Sequence, residues 1–163
     1  MANRDQPQGF RPYGPILRQS IYVAAGAIYP GDAVMQESAG RVIVGAATNA
    51  LIGVANSYAS GAGVDVSVMD HPSQRFVGQM DETEVDAQTD LGLNYNLVAT
   101  AGNSSYKQSR HELDSSTQNT TATLPFKALA INPDPANALG EFVDCICIIN
   151  NHQLKGHTGT AGV

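Results

Sequence analysis

The 163-residue sequence has few charged side chains, no tryptophan and only two cysteines. Charged residues make up 15% of the chain, below the roughly 25% usual in soluble domains, and the formal net charge is −6. Proteins that bind a nucleic-acid backbone rely on lysine and arginine to neutralise phosphates. We therefore expect no nucleic-acid partner.

Long hydrophobic runs are also missing. No stretch approaches the roughly 18 consecutive apolar residues of a membrane span, and residues 1–7 lack the apolar core of a signal peptide. Cys145 and Cys147 are one residue apart, too close for the loop-closing disulfides of a secreted scaffold. We expect synthesis in the cytoplasm, reduced thiols and no membrane partner.

From residue 20 onward, short segments of β-branched and small apolar residues alternate with glycines at intervals of roughly eight to twelve positions. This spacing predicts an all-β fold, either a small β-barrel or a β-sandwich. Residues 64–68 alternate strictly between apolar and polar, whereas residues 142–149 are nearly all apolar, which indicates a central strand. Residues 29–32 predict a type II turn, and residues 96–99 and 106–108 predict two weak strands.

Residues 1–20 contain three prolines and two glycines, which block a helix and predict an extended N-terminal arm. Its three arginines and one aspartate give it a net charge of +2, which leaves −8 for the rest of the chain. We divide the chain into this arm, a β body over residues 21–155 and an extended C-terminal tail over residues 156–163. The arm residues predicted to contact a partner are Arg4, Phe10, Arg11, Tyr13, Ile16, Leu17 and Arg18.

An acidic run follows the strand predicted near residues 75–80. It contains Asp81, Glu82, Glu84 and Asp86. Carboxylates can bind calcium, but this run lacks the glycine and glutamate spacing of an EF-hand loop. A solvated negative face is the preferred interpretation, and this face could receive the basic arm of a neighbouring subunit.

Cysteine and histidine near the C-terminus could form a zinc site. The pattern is C-x-C-x4-H-x4-H, built from Cys145, Cys147, His152 and His157. It lacks the two-residue gap that separates the cysteines of a zinc knuckle, so we interpret both thiols as buried apolar groups. A small metal-dependent hydrolase stays as an alternative, but no G-x-S-x-G motif is present, and we predict no catalytic residue, metal or cofactor.

Several short segments together resemble the head decoration, or capsid cement, proteins of tailed bacteriophages. They are residues 1–12, 29–32, 70–76, 111–114, 137–140 and 149–152. The resemblance implies an all-β virion protein without catalytic activity that is made in the host cytoplasm and coats the outer surface of the capsid. Its partners would be the major capsid protein and further copies of itself, with a homotrimer favoured over a dimer.

The resemblance and the residues together predict a stapling mechanism. The β body would associate around a symmetry axis while the N-terminal arm reaches an adjacent capsid subunit, and many weak contacts would combine on the lattice. The alternative is a head-fibre or tail-associated β domain that binds host glycans. Such a domain usually exposes aromatic side chains, for which Tyr58, Tyr95 and Tyr106 are the candidates.

Overall fold

The computed structural model describes residues 3–47, 50–82, 85, 87–155 and 161–162. Within these residues the chain is nearly all-β, with eleven strands in two antiparallel sheets and two short 3₁₀ helices, Gln88–Asp90 and Gln153–Lys155. The strands are β1 Arg11–Pro12, β2 Gln19–Val23, β3 Ala33–Gln36, β4 Val42–Val44, β5 Gly53–Ala55, β6 Asp65–Met69, β7 Arg75–Gln79, β8 Asn94–Val98, β9 Glu112–Asn119, β10 Phe126–Ile131 and β11 Asp144–Ile149. The all-β prediction is confirmed.

The larger sheet has six strands in the order β1-β7-β11-β10-β8-β9. Strand β11 lies inside this sheet between β7 and β10, and Cys145, Ile146 and Cys147 are buried on alternating faces. The apolar run around these residues therefore forms a strand buried on both faces, as its composition predicts.

The smaller sheet has the order β2-β6-β5-β3-β4 and curls toward itself. A bridge between Ala24 and Val42 links the end of β2 to the start of β4. Successive side chains of a strand point to opposite faces of the sheet. Because this sheet is curled, the two faces contribute to different cores. Ala33 packs into the core shared with the larger sheet, whereas Val34 packs into a second core lined by the smaller sheet.

Glycine makes the predicted turn between β2 and β3 possible. Gly31 has φ +93°, and the Asp32 N–H donates to the Tyr29 carbonyl over 3.0 Å. A Cβ on Gly31 would lie 2.9 Å from the Gln8 carbonyl oxygen, so glycine also allows the N-terminal arm to approach.

Residues 91–123 differ from the sequence prediction in two places. Residues 106 and 107 lie in a turn, and Gln108 forms only an isolated bridge with Asn103, so no strand is present there. The eight-residue strand β9, Glu112–Asn119, was not predicted, because its mostly polar sequence lacks the alternation that marks a buried face. Strand β9 pairs with β8 at the end of the larger sheet, and a bridge between Leu113 and Met80 covers part of its other side.

No helix among the described residues is long and apolar enough to cross a membrane.

Candidate functional site

The N-terminal arm lies against the chain's own β body. Phe10 is 1% exposed in the main core, and its ring stacks on Phe126 with centroids 4.3 Å apart. Its N–H donates to the Gly31 carbonyl, and the adjacent strand β1 pairs with β7. The structure therefore corrects the assignment of Phe10 as a partner contact, because its apolar surface is already covered by its own chain.

Ion pairs hold two arginines of the arm. Arg11 lies 3.1 Å from an Asp144 carboxylate oxygen, and Arg18 lies 2.8 Å from an Asp70 oxygen, yet both arginine side chains stay about half exposed, at 50% and 45%. Tyr13 is partly buried and its N–H donates to the Arg75 carbonyl. Each arginine can thus still meet a partner through its exposed half.

The remaining predicted arm contacts, Arg4, Ile16 and Leu17, are exposed. Ile16 and Leu17 expose 41% and 51% of their surface between β1 and β2. The contact of these three side chains with a partner stays a prediction.

Asp70 is the buried centre of a polar cluster at the base of the arm. Its carboxylate accepts hydrogen bonds from Arg18 Nε and the Tyr22 hydroxyl, each over 2.8 Å, and the side chain is 2% exposed. Burial alone would raise the pKa of Asp70, but the bonds from Arg18, Tyr22 and Ser20 outweigh it and lower that pKa below its usual value. Burial, followed by the bond to Asp70, raises the pKa of Tyr22 to about 12.

Asp70→Asn is expected to lower the free energy of unfolding at neutral pH by about 1–3 kcal/mol, because Arg18 and Tyr22 lose a charged acceptor. The lowered pKa of Asp70 means that its stabilisation is complete above about pH 4 and is lost as pH falls through the folded-state value. Urea unfolding should show a smaller difference in the free energy of unfolding between Asp70→Asn and wild type at about pH 3 than at about pH 7. Asp65→Asn, at the exposed first residue of β6, the strand that ends just before Asp70, should show little change at either pH.

An apolar stripe runs along the outside of β2. Ile21 and Val23 lie on the same face of β2 and expose 67% and 41% of their surface, and Leu17, two residues before the strand, exposes 51%; the exposed Gln19 lies between Leu17 and Ile21. We name these three residues the β2 stripe. It points away from the second core, into which Ala24 and the partly buried Tyr22 pack.

Strand β2 also has an open edge over its first residues. The Ala24 N–H donates to the Val64 carbonyl over 2.8 Å, so the backbone groups of Ala24 point toward β6. In an antiparallel pair, every second residue points its backbone groups toward the neighbouring strand. The backbone groups of Gln19 and Ile21, at the intervening positions, therefore face away from β6. The other sheet edges of the described chain are blunted: β1 is two residues long and includes Pro12, β4 is bridged to Ala24, and β9 is bridged to Met80 through Leu113 and carries Asp114. The β2 stripe is therefore apolar surface beside unpaired backbone.

A polar cavity of about 300 Å³ lies between the arm and the loop before β11. Most of the amide groups around it bond within the chain. Gln79 Nε2 donates to the Arg4 and Phe142 carbonyls and its oxygen accepts from Gln6 N–H, while Asn3 bonds to Ala138 and Glu141. These groups fasten the arm and leave few contacts for a ligand.

The predicted cysteine and histidine positions are mostly buried. Cys145 and Cys147 are free thiols with no exposed surface, and burial raises the pKa of the Cys145 thiol to about 12. His152 is 2% exposed, and burial lowers its pKa to about 4. His157 lies outside the described residues. Within the residues that the structure describes, no group of three or more His, Cys, Asp or Glu side chains is placed to hold a metal ion.

Sequence inspection missed a buried Ser, His and Asp grouping, because Asp32 is far in the chain from Ser109 and His111. His111 Nδ1 accepts the Ala33 N–H over 3.1 Å, its Nε2 faces Asp32 Oδ1 at 3.4 Å, and Ser109 Oγ accepts the His111 N–H. Burial lowers the pKa of His111, although Asp32 opposes this shift. The serine oxygen meets backbone and not the imidazole, so this grouping fastens two loops and lacks the contact of a nucleophile with its base.

The predicted acidic face is described only in part. Asp81 is half-buried, and its Oδ1 accepts hydrogen bonds from the N–H and the hydroxyl of Ser115, both over 2.9 Å. Glu82 is exposed, whereas Glu84 and Asp86 lie outside the described residues. The role of this face in docking an arm stays a prediction.

Comparisons with models of known protein families and with curated proteins find no match to this chain. What the chain binds is therefore inferred from its surfaces. Of these, the β2 stripe combines exposed apolar side chains, open backbone and half-exposed arginine nearby.

Proposed function

We propose that this protein is a structural virion protein that binds the outer surface of a tailed-phage capsid and staples neighbouring major capsid subunits. It would stabilise the head against the pressure of packaged DNA and would catalyse no reaction. The sequence resemblance suggests this role. The exposed β2 stripe is the structural observation that supports this role.

The β2 stripe has the chemistry of a contact surface. Ile21 is 67% exposed, and burying an apolar side chain of this kind contributes roughly 1.5–3 kcal/mol. Arg18, which is half-exposed beside the stripe, could reach a carboxylate at the rim of the contact. The proposed capsid contact is this stripe and not Phe10, which is buried against its own chain.

Repetition makes a small contact effective. A homotrimer, favoured over a dimer, would present three β2 stripes to the capsid lattice at once. Once one stripe is bound, the others meet their sites at a high effective concentration, so three weak contacts hold far better than one. The low proportion of charged residues, 15%, suits a surface that is in permanent contact with other proteins.

Binding to undecorated phage heads tests this proposal. Size-exclusion chromatography with light scattering should give a discrete oligomer, and electron microscopy should show regular added density on the outer shell. Ile21→Asp should raise the protein concentration needed for half-occupancy at least about tenfold, because it places an unpaired charge in an apolar contact. Leu129→Asp, at a 37% exposed position of β10, is the matched control and should bind like wild type.

Two results would contradict the proposal. One is a monomer that leaves the heads bare under all salt conditions. The other is equal occupancy by wild type and Ile21→Asp, which would exclude the β2 stripe as the contact. Circular dichroism should first establish that both variants are folded.

A further inference from the structure

A rigid turn presents an aromatic ring on another part of the surface. Tyr106 exposes 79% of its surface, more than any other large hydrophobic side chain that the structure describes. Asn103 and Gln108 exchange two backbone hydrogen bonds across this turn, of 2.7 and 3.2 Å. Asn103 Oδ1 also accepts the N–H groups of Ser105 and Tyr106, so the ring is held out by an ordered backbone.

Aromatic packing beneath the turn fixes its position. Lys107 has φ +53°, a strained value for a residue other than glycine, and its Nζ lies 4.7 Å from the centre of the Tyr58 ring. Tyr58 in turn lies against Tyr29, with ring centroids 5.4 Å apart. A turn held in this way loses little conformational entropy when a ligand binds.

A polar cavity of about 260 Å³ opens beside the same turn. Its lining is Asp5, Pro7, Asn103, Gln108, Ser109 and Arg110. The Asp5 carboxylate, the Gln108 amide and the Arg110 guanidinium form no hydrogen bond with any residue in the described ranges. This cavity differs from the one near Gln79, where the amide groups are used to fasten the arm.

These side chains offer the donors and acceptors that a sugar requires. Adjacent hydroxyls of a hexose both donate and accept, which an amide, a carboxylate and a guanidinium can match, while the C–H face of the ring packs on a tyrosine. The volume is slightly below the roughly 300–1,000 Å³ of sites for drug-sized ligands, so it suits one sugar ring. Asp5 and Arg110 have opposite charge, which favours a neutral ligand.

We propose that the cavity between Asp5 and Arg110, together with Tyr106, binds a neutral glycan. One hexose ring would occupy the cavity, and the next would lie on Tyr106. The site shares no residue with the β2 stripe, so it does not depend on capsid attachment. A decorated head would gain affinity for sugar surfaces if both proposals hold.

An array of immobilised oligosaccharides tests this site. The probes are neutral chains that end in glucose, galactose or mannose, with sialylated chains for comparison. We expect wild type to bind at least one neutral chain, and Tyr106→Ala or Gln108→Ala to weaken binding at least about tenfold. Tyr13→Ala, at a partly buried tyrosine on the arm, is the matched control and should bind like wild type.

Backbone amide NMR with the best-binding neutral chain should shift the signals of residues 103–110. The proposal is overturned by the absence of neutral-chain binding up to about 1 mM, by preference for sialylated chains, or by unchanged binding in both Tyr106→Ala and Gln108→Ala. Occupancy of phage heads by Tyr106→Ala should match wild type, so that failure of this site is distinguishable from failure of the capsid proposal.

Discussion

Phe10→Ala is expected to lower the free energy of unfolding by about 3–5 kcal/mol, the usual cost of removing a buried phenylalanine. Phe10 is 1% exposed, stacks on Phe126 and lies in the core shared by both sheets. Urea or thermal unfolding would measure the loss. Ile16→Ala, at a 41% exposed position of the same arm, should change stability by no more than about 0.5 kcal/mol.

A second substitution tests the contact itself. A Cβ on Gly78 would lie 2.5 Å from Phe10 Cε1, so Gly78→Ala should strain the wild-type core. In the Phe10→Ala background the ring is absent, and the same substitution should cost much less. A double-mutant cycle that gives purely additive costs would contradict the contact.

Equal stability of Phe10→Ala and Ile16→Ala would mean that the arm is not part of the folded core. The structure predicts the opposite, and removal of residues 1–18 should therefore destabilise the body as well as remove the arm. A loss of head binding in such a truncation would not identify the arm as the contact. Single substitutions on the β2 stripe avoid this ambiguity.

The sequence predicts those strands whose apolar and polar residues form a regular local pattern. Strands β6 and β11 follow from strict alternation and from a continuous apolar run, because side chains on a strand alternate between two faces. Strand β9 could not be found in this way. Its residues are mostly polar, and its extended conformation is stabilised by pairing with β8 rather than by a local pattern.

The arm shows a second limit of sequence reasoning. Its prolines and glycines predict extended backbone, but no local pattern tells whether Phe10 packs on its own chain or on another. Phe10 can pack on its own chain because Gly78 leaves space for its ring, and Gly78 is far away in the sequence. For the same reason, the sequence predicts a strand near Ile21 but not which residues of that strand stay exposed.

Stability should also fall as pH rises through a window set by Glu112. This side chain is 9% exposed at the start of β9, and burial raises its pKa to about 7, with a further contribution from the Asp5 and Asp81 carboxylates and opposition from Arg110. A folded-state pKa above the ordinary value of about 4.3 means that the folded protein binds more protons than the unfolded chain between these two pH values. The stabilisation is therefore present below about pH 4.3 and is lost as pH rises to about 7.

Glu112→Gln keeps the shape of the protonated carboxyl group and cannot ionise. At about pH 8 we expect the variant to be more stable than wild type by about 1–3 kcal/mol, since one pKa unit corresponds to about 1.4 kcal/mol and solvent screens part of it. At about pH 4 the two proteins should be nearly equal, because wild-type Glu112 is then protonated in the folded state. Glu141→Gln, at an exposed glutamate, should show no such dependence. Equal destabilisation by Glu112→Gln at both pH values would instead mean that folding does not shift the pKa of Glu112, because the loss would then not depend on ionisation of the carboxyl group.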